Sequence, residues 1–304
     1  MISSELIRKR ILVIGSNGML GQRLTEYFLN DSNVELLTVS AEEESFIKNA
    51  AYKRLDIVQK NNVREIIMDF FPDFVINTAA YTNVDKSETE REIAWKINVT
   101  GVENIALYSW TVDAHLIHIS SDYIFDGKNG PYSEEDKPNP IGYYGRTKLA
   151  GENSIKTSGV RATILRTNIV YGPAKYGRQD FVKWVVNSLR ANQTIKIVTD
   201  QIGNPTFIDD IVNAINSIIE FKKEGVYNIA GKEILTRYDF TLRIADYFKL
   251  DKKLILPIIT KELNQPAPRP LKSGLIILKA ETEIGYIPRS LEETFEIMKK
   301  EIGL

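Results

Sequence analysis

Tyr144 and Lys148 stand four residues apart in the stretch YGRTK, a spacing that places both side chains on one face of a helix. A free phenol titrates near about 10 and is a poor acid or base at neutral pH. A neighbouring ammonium favours the phenolate, much as a cation moves a carboxylate by about 1–3 units, and so tunes the pair for proton transfer. Pro138 and Pro140 lie just upstream and stop any earlier helix. Tyr143 has Thr147 four positions on and is the weaker candidate. Alone, Y-x-x-x-K describes many exposed helix faces. It gains meaning from Ser120-Ser121-Asp122-Tyr123, which follows the apolar run HLIHIS. A serine at a strand end can hydrogen-bond a carbonyl or alcohol and hold it against the phenol, whereas in isolation it would be read as a turn cap.

A proton donor of this kind needs a partner that moves electrons, and the first strand points to one. Gly15-Ser16-Asn17-Gly18-Met19-Leu20-Gly21 lies directly between the apolar run RILVIG and a helical pattern. In that position one glycine permits a tight turn, another lets backbone reach a pyrophosphate, and a third lets helix and strand pack closely, while the helix N-terminus offers N–H groups. A dinucleotide site is therefore expected. The acidic run Glu42, Glu43 and Glu44 follows the second strand at about 20 residues past the glycines, where a carboxylate can bind an adenosine ribose. No arginine adjoins that run in the sequence, so NAD is slightly favoured over NADP, and either remains open. Asp56 in RLDIV, with Ala79 and Ala80 in NTAAYTNVD, falls at further strand ends where small residues leave room for a nucleotide.

The elements that must position these residues are legible as apolar runs: RILVIG, VELLTV, DFVINT, HLIHIS and RATILR, separated by helical spacing. Strand-helix alternation predicts an α/β fold, a Rossmann-type doubly wound parallel sheet with right-handed crossovers. From about Gly172 the pattern changes, with a helix over 181–191, a strand TIKIVT, a helix from Ile208 and a strand VYNIA. The expected division is a dinucleotide-binding domain over 1–171, with 207–230 packing back on it, and a smaller substrate-binding lobe over 172–304. The segment QPAPRP has three prolines in six residues and reads as an ordered loop.

Composition excludes several alternatives. The 304 residues suffice for a large core, and 39 Lys and Arg against 40 Asp and Glu leave no overall field for nucleic acid or an anionic membrane. With no cysteine, disulfides and thiolate chemistry are excluded, and a reducing, cytoplasmic setting is the simple expectation. The two histidines, His115 and His118, sit in one alternating strand and read as core positions, so no metal site or Ser-His-Asp arrangement is expected. The polar opening MISSELIRKR does not resemble a signal peptide, and no window approaches the ~18 apolar residues of a membrane span. Neither nucleic acid nor membrane is expected as a partner, and room is left for a homodimer.

Taken together, GSNGMLGQ, NTAAYTNVDKSE, INVTG, SSDYIFDG, YGRTKLAGE, LRTNIVYG, DQIGNPT and RPLKSGL resemble the dTDP-4-dehydrorhamnose reductase family of the extended short-chain dehydrogenases over nearly the whole chain. The resemblance implies a catalytic trio of Ser121, Tyr144 and Lys148, with serine where these reductases often have threonine. It places Gly15, Asn17, Gly18, Met19, Leu20, Gly21, Asp56, Ile57, Ala79, Ala80, Thr82 and Asn98 near NAD or NADP, and Ser121, Asp122, Ile169 and Arg269 near a nucleotide-sugar substrate. The implied reaction is reduction of the 4-keto group of dTDP-4-dehydro-L-rhamnose. The chain departs from the family at Ile169, where a sugar-packing tryptophan is typical, and at Lys272, where asparagine is usual. SSDYIFDGKNGPYSEEDKPNP and YNIAGKEILTRYDFTLRIADYFKL are also similar to the regulatory β-subunit of methionine adenosyltransferase, a relative that binds dinucleotide and serves a partner enzyme. DQIGNPT favours the reductases. An epimerase or dehydratase ranks last, because Ser121-Asp122 lacks the Asp-Glu pair that follows in dehydratases.

Overall fold

The computed structural model describes residues 8–177 and 179–303; the opening heptapeptide MISSELI, part of the signal-peptide reading, lies outside them. The first half alternates β1 (Lys9–Ile14), α1 (Met19–Leu29), β2 (Val34–Ser40), β3 (Tyr52–Arg54), α2 (Lys60–Phe70) and β4 (Phe74–Asn77). It continues through α3 (Arg91–Trp95), α4 (Gly101–Thr111), β5 (His115–Ser121), α5 (Tyr143–Ser158) and β6 (Ala162–Thr167). Seven strands form one parallel sheet in the order β11-β6-β5-β4-β1-β2-β3, where β11 is Gly225–Asn228. The order reverses direction beside β1, and a doubly wound sheet opens its ligand crevice at that switch point, beyond the strand C-termini.

Strand alternation builds the core. Ile11 and Val13 of β1, with Ile76, Ile117 and Leu165, face one side, where α1 and the later helices cover them. Leu12 and Ile14, with Val75, Leu116 and Ile164, face the other, against residues of α2 and α4 such as Val63, Ile67 and Ile105. Burial on both faces explains why these strands read as continuous apolar runs.

The second half contributes β7 (Val170–Tyr171), α6 (Phe181–Arg190), β8 (Ile195–Val198), β9 (Ile202–Gly203), β10 (Thr206–Phe207) and α7 (Ile208–Phe221) before β11. After it come β12 (Leu235–Thr236), α8 (Arg237–Tyr247), β13 (Ile255–Ile258), α9 (Leu278–Ile284) and α10 (Leu291–Ile302). α7 and α9 pack Ile211, Ile215, Ala280 and Ile284 against the main sheet, whereas Tyr171, Val185, Ile197, Phe240 and Phe295 form a separate apolar cluster. Asp180 caps α6 by accepting from Val182 and Lys183 N–H, and Thr236 caps α8 by accepting from Asp239 N–H. No helix among the described residues is long and apolar enough to cross a membrane.

Candidate active site

The ends of β1, β2, β4 and β5, the start of α5 and the segment after β6 surround one cavity of about 720 Å³, within the range of about 300–1,000 Å³ usual for ligand clefts. Gly15, Asn17, Gly18, Met19, Leu20, Asp56, Ile57, Ala79, Ala80, Thr82, Ser121, Asp122, Tyr144, Lys148 and Ile169 all line it. Residues from opposite ends of the first half of the chain thus meet in one cleft.

The glycine loop is shaped for close backbone approach. Gly15 has φ +82°, and a Cβ there would lie 2.6 Å from the Ala79 amide nitrogen, so both conformation and contact require glycine. At Gly21 a Cβ would meet the Gly15 carbonyl at 2.1 Å. Gly21 therefore does not line the cavity; it lets α1 dock on β1. Gly18 occupies the N-cap of α1 without a side-chain cap, which leaves the first N–H groups of the helix to an anion. These features suit a dinucleotide pyrophosphate. Asn17 is fixed from three sides: Nδ2 donates to Glu42 and to the Glu44 carbonyl, and Oδ1 accepts from Phe46 N–H.

Position and burial distinguish Tyr144 from its neighbour. Glu88 Oε1 accepts from Tyr143 N–H at 2.7 Å and so caps α5 from a distant loop. The Tyr144 ring is buried and packs edge-on to Tyr123 at 5.4 Å, whereas Tyr143 lies under the Arg91 guanidinium. Ser121 stands beside the Tyr144 phenol and acts to lower it. Ser121 in turn donates to Asp122 Oδ1 at 2.9 Å, and Asp122 Oδ2 accepts from Ser273 at 2.6 Å.

The electrostatics differ from the simple expectation that Lys148 draws the phenol down. Burial pushes the Tyr144 phenol above its ordinary range, and Asp122 and Tyr123 add to this. Lys148 is spent elsewhere: Nζ donates to the Ile119 carbonyl at 2.6 Å and faces His118 Nε2 at 3.4 Å. Burial lowers the Lys148 ammonium to about 8. It also raises the Asp122 carboxyl to about 6, against the lowering effect of its two serine donors and Arg237.

Besides Gly21, two expected contact residues stand outside the cavity lining. Asn98 braces the site from behind: Oδ1 accepts from Tyr81 N–H, and Nδ2 donates to the Tyr81 carbonyl and to Thr147 Oγ1. Arg269 pairs with Asp85 at 2.8 Å and donates to the Ala267 carbonyl, tying the proline loop to the first half. The absence of arginine near the glutamate run holds only along the chain. β3 pairs with β2 and brings Arg54 to the Glu43 carboxylate and, through Nε, to the Ala41 carbonyl at 3.1 Å. Tyr176, Gln179, Asp180 and Asn168 also line the cavity. No motif marked the first three, and Asn168 lay unremarked within LRTNIVYG.

The RmlD substrate binding domain family model matches residues 9–303. A dTDP-4-dehydrorhamnose reductase from Aggregatibacter actinomycetemcomitans is 33% identical over 291 residues, covering 92% of this chain and 94% of that protein. The crystal structure of dTDP-4-dehydrorhamnose reductase from Bacillus anthracis in complex with NADP is 32% identical, with a TM-score of 0.87 and coverage of 97% and 99%. Methionine adenosyltransferase 2 subunit beta from Xenopus tropicalis is 31% identical over 280 residues, covering 90% of this chain and 82% of that protein. A sheet with its crevice at the β1 switch point, a glycine cradle and the Ser-Tyr-Lys constellation all agree with the match, and the chain belongs to the dTDP-4-dehydrorhamnose reductase family of extended short-chain dehydrogenases.

Proposed function

We propose that the protein reduces the 4-keto group of dTDP-4-dehydro-L-rhamnose to an alcohol, giving dTDP-L-rhamnose, with NADH or NADPH as reductant. The observation that carries this reading is the meeting of Ser121, Tyr144 and Lys148 with the glycine loop in one cavity. A reduced nicotinamide supplies hydride when bound. The protein's own part is alignment and protons. Gly15, Gly18 and the start of α1 hold the pyrophosphate, with Asn17, Met19 and Leu20 beside it. Asp56, Ile57, Ala79, Ala80 and Thr82 enclose the nucleoside, and Asn98 braces the wall behind.

Ser121 orients the substrate oxygen, Tyr144 gives it a proton, and Lys148 restores the charge balance after transfer. Burial keeps the phenol protonated, so the proton that the reductive direction consumes is on Tyr144 before transfer. Asp122 and Ile169 face the sugar, and Arg269 acts from the rim through its tie to Asp85. The lobe formed by 172–304, apart from 207–230, holds the nucleotide half of the substrate. The cysteine-free sequence supports a cytoplasmic location. A homodimer is the assembly to test, by sedimentation.

The experiment is oxidation of NADH and NADPH with freshly prepared dTDP-4-dehydro-L-rhamnose, followed at the nicotinamide absorbance, with Tyr144→Phe as control. Turnover that disappears in the variant supports the reductase. The 31% identity to a methionine adenosyltransferase subunit favours one second reading, a dinucleotide-binding regulatory subunit. Tight dinucleotide binding with no turnover of any keto sugar would favour that reading and sink the first.

A further inference from the structure

Behind the cavity a buried polar chain runs to Lys148 through two residues, Asn77 and His118, that the proposed reaction leaves unused. Asn77 at the end of β4, His118 in β5 and Lys148 in α5 are respectively 0%, 1% and 2% exposed. Asn77 Oδ1 accepts from the Ala79 N–H at 3.1 Å, and Asn77 Nδ2 lies 3.1 Å from His118 Nδ1. The first bond fixes the second, because turning the amide over would set its NH2 against the Ala79 N–H. Asn77 is therefore a donor towards His118, and His118 Nδ1 must accept. Burial, and then the charge of Lys148, push the His118 imidazole well below its ordinary value, so the ring is neutral and its one proton sits on Nε2. That N–H faces Lys148 Nζ at 3.4 Å.

An N–H dipole aimed at an ammonium repels it, and aimed at a neutral amine it donates to the lone pair. We propose that His118, locked by Asn77 in the Nε2–H tautomer, is a positioning residue that weakens the hold of Lys148 on its proton while the Ile119 carbonyl fixes the direction of the amine. This rests on the reading of Lys148 as a member of the catalytic trio. The same amide holds the Ala79 N–H on the cavity wall, so one asparagine ties the cofactor-side loop to the ionisation of the lysine.

Few other groups compete for this control. Glu152, one turn along α5, favours the ammonium, but its oxygens are taken by Arg166, Ser120 and Lys156. Tyr144 on α5 and Asp122 after β5 share the cavity with Lys148, and neither is bonded to its amine.

The test needs no substrate. Only two histidines are present, so 15N-histidine NMR with a His115→Gln variant for assignment reads the tautomer directly. Titration of 13Cε-labelled lysine, with Lys148→Arg for assignment, reads the amine. In the wild-type protein His118 should carry its proton on Nε2 and stay neutral across the titration of Lys148. Asn77→Asp keeps an acceptor for Ala79 and demands a proton on Nδ1, which turns a bare Nε2 towards the lysine. The Lys148 midpoint should then rise by about 1 pH unit or more; because the new carboxylate also attracts the ammonium, the rise counts only with the 15N spectrum showing the proton moved to Nδ1, whereas His118→Gln, which preserves a donor, should leave the midpoint in place. A wild-type proton on Nδ1, an imidazolium, or an unmoved midpoint in Asn77→Asp would overturn the inference. If Asn77→Asp fails to fold, the wild-type tautomer and the His118→Gln titration still decide it. Failure of the reductase reading would appear separately, as absent turnover.

Discussion

The Ser121 hydroxyl donates to Asp122 Oδ1 at 2.9 Å, and the same carboxylate accepts from Ser273, 151 residues away, at 2.6 Å. Burial nevertheless raises Asp122 to about 6, above the value of about 3.9 for an unfolded chain. The consequence has a definite sign. The native state holds this proton more tightly than the unfolded state, so its stabilising effect is complete below pH about 4 and is lost as pH rises through about 6, for a total of roughly 3 kcal/mol. Asp122→Asn removes that pH-dependent loss. Denaturant midpoints of wild type and variant, compared from pH 4 to 7, should diverge in favour of the variant as pH rises. A constant difference would mean that Asp122 titrates normally.

Tyr144→Phe keeps the ring that packs on Tyr123 and removes only the hydroxyl. Loss of a positioned proton donor should lower kcat by about 10²–10⁴-fold. Dinucleotide affinity, followed by fluorescence titration, should stay within error of wild type, because in the proposed reading the glycine loop would hold the pyrophosphate. Retained turnover in the variant would remove the phenol from the reaction.

Beneath Ser120 lies a fully buried ion pair: Glu152 meets Arg166 at 2.9 and 3.1 Å, with side-chain exposures of 0% and 2%. Ser120 adds a bond at 2.6 Å. Removing one partner strands the other charge away from water, so Glu152→Ala should cost about 3–5 kcal/mol in unfolding free energy. Replacing both with Leu and Met should cost much less, because no unpaired charge remains. Urea titration of the two variants separates these cases, and similar losses in both would argue that volume dominates over charge.

The sheet was legible in the sequence because its central strands are buried on both faces, which makes β1, β4 and β5 continuous apolar runs. The meeting of Ser121, Tyr144 and Lys148 in one cavity was legible because Tyr144 and Lys148 depend on one helical spacing and Ser121 on one strand end. Contacts made through folding were not. Arg54 comes next to Glu43 only when β3 pairs with β2, and Ser273 reaches Asp122 across 151 residues. Neither leaves a local pattern. The direction of the Tyr144 shift was also hidden, because spacing shows which groups are neighbours and not which partner an amine chooses. Lys148 chooses the Ile119 carbonyl.

Glu42, two residues past the end of β2, lines the cavity where it can influence cofactor choice. Its Oε2 accepts from Ser40 Oγ at 2.5 Å and from Asn17 Nδ2 at 3.2 Å. Burial works against its charge, but the bonds from Ser40, its own backbone and Asn17 hold the carboxyl below the usual range. A carboxylate fixed at the cavity wall can accept from a ribose 2′-hydroxyl and repels a 2′-phosphate. Glu42→Ala should therefore lower the ratio of kcat/KM for NADH to that for NADPH by about 10-fold, equivalent to about 1.4 kcal/mol. Arg54 gives the test a second arm. It stands on β3 beside Glu43 and bonds the carbonyl of Ala41, a residue of the cavity wall, so a 2′-phosphate is expected to recruit its guanidinium once Glu42 no longer opposes the approach. Arg54→Ala added to Glu42→Ala should then cancel the gain with NADPH and leave NADH unchanged. If Glu42→Ala leaves the ratio where it was, the ribose lies away from β2 and neither residue selects the cofactor.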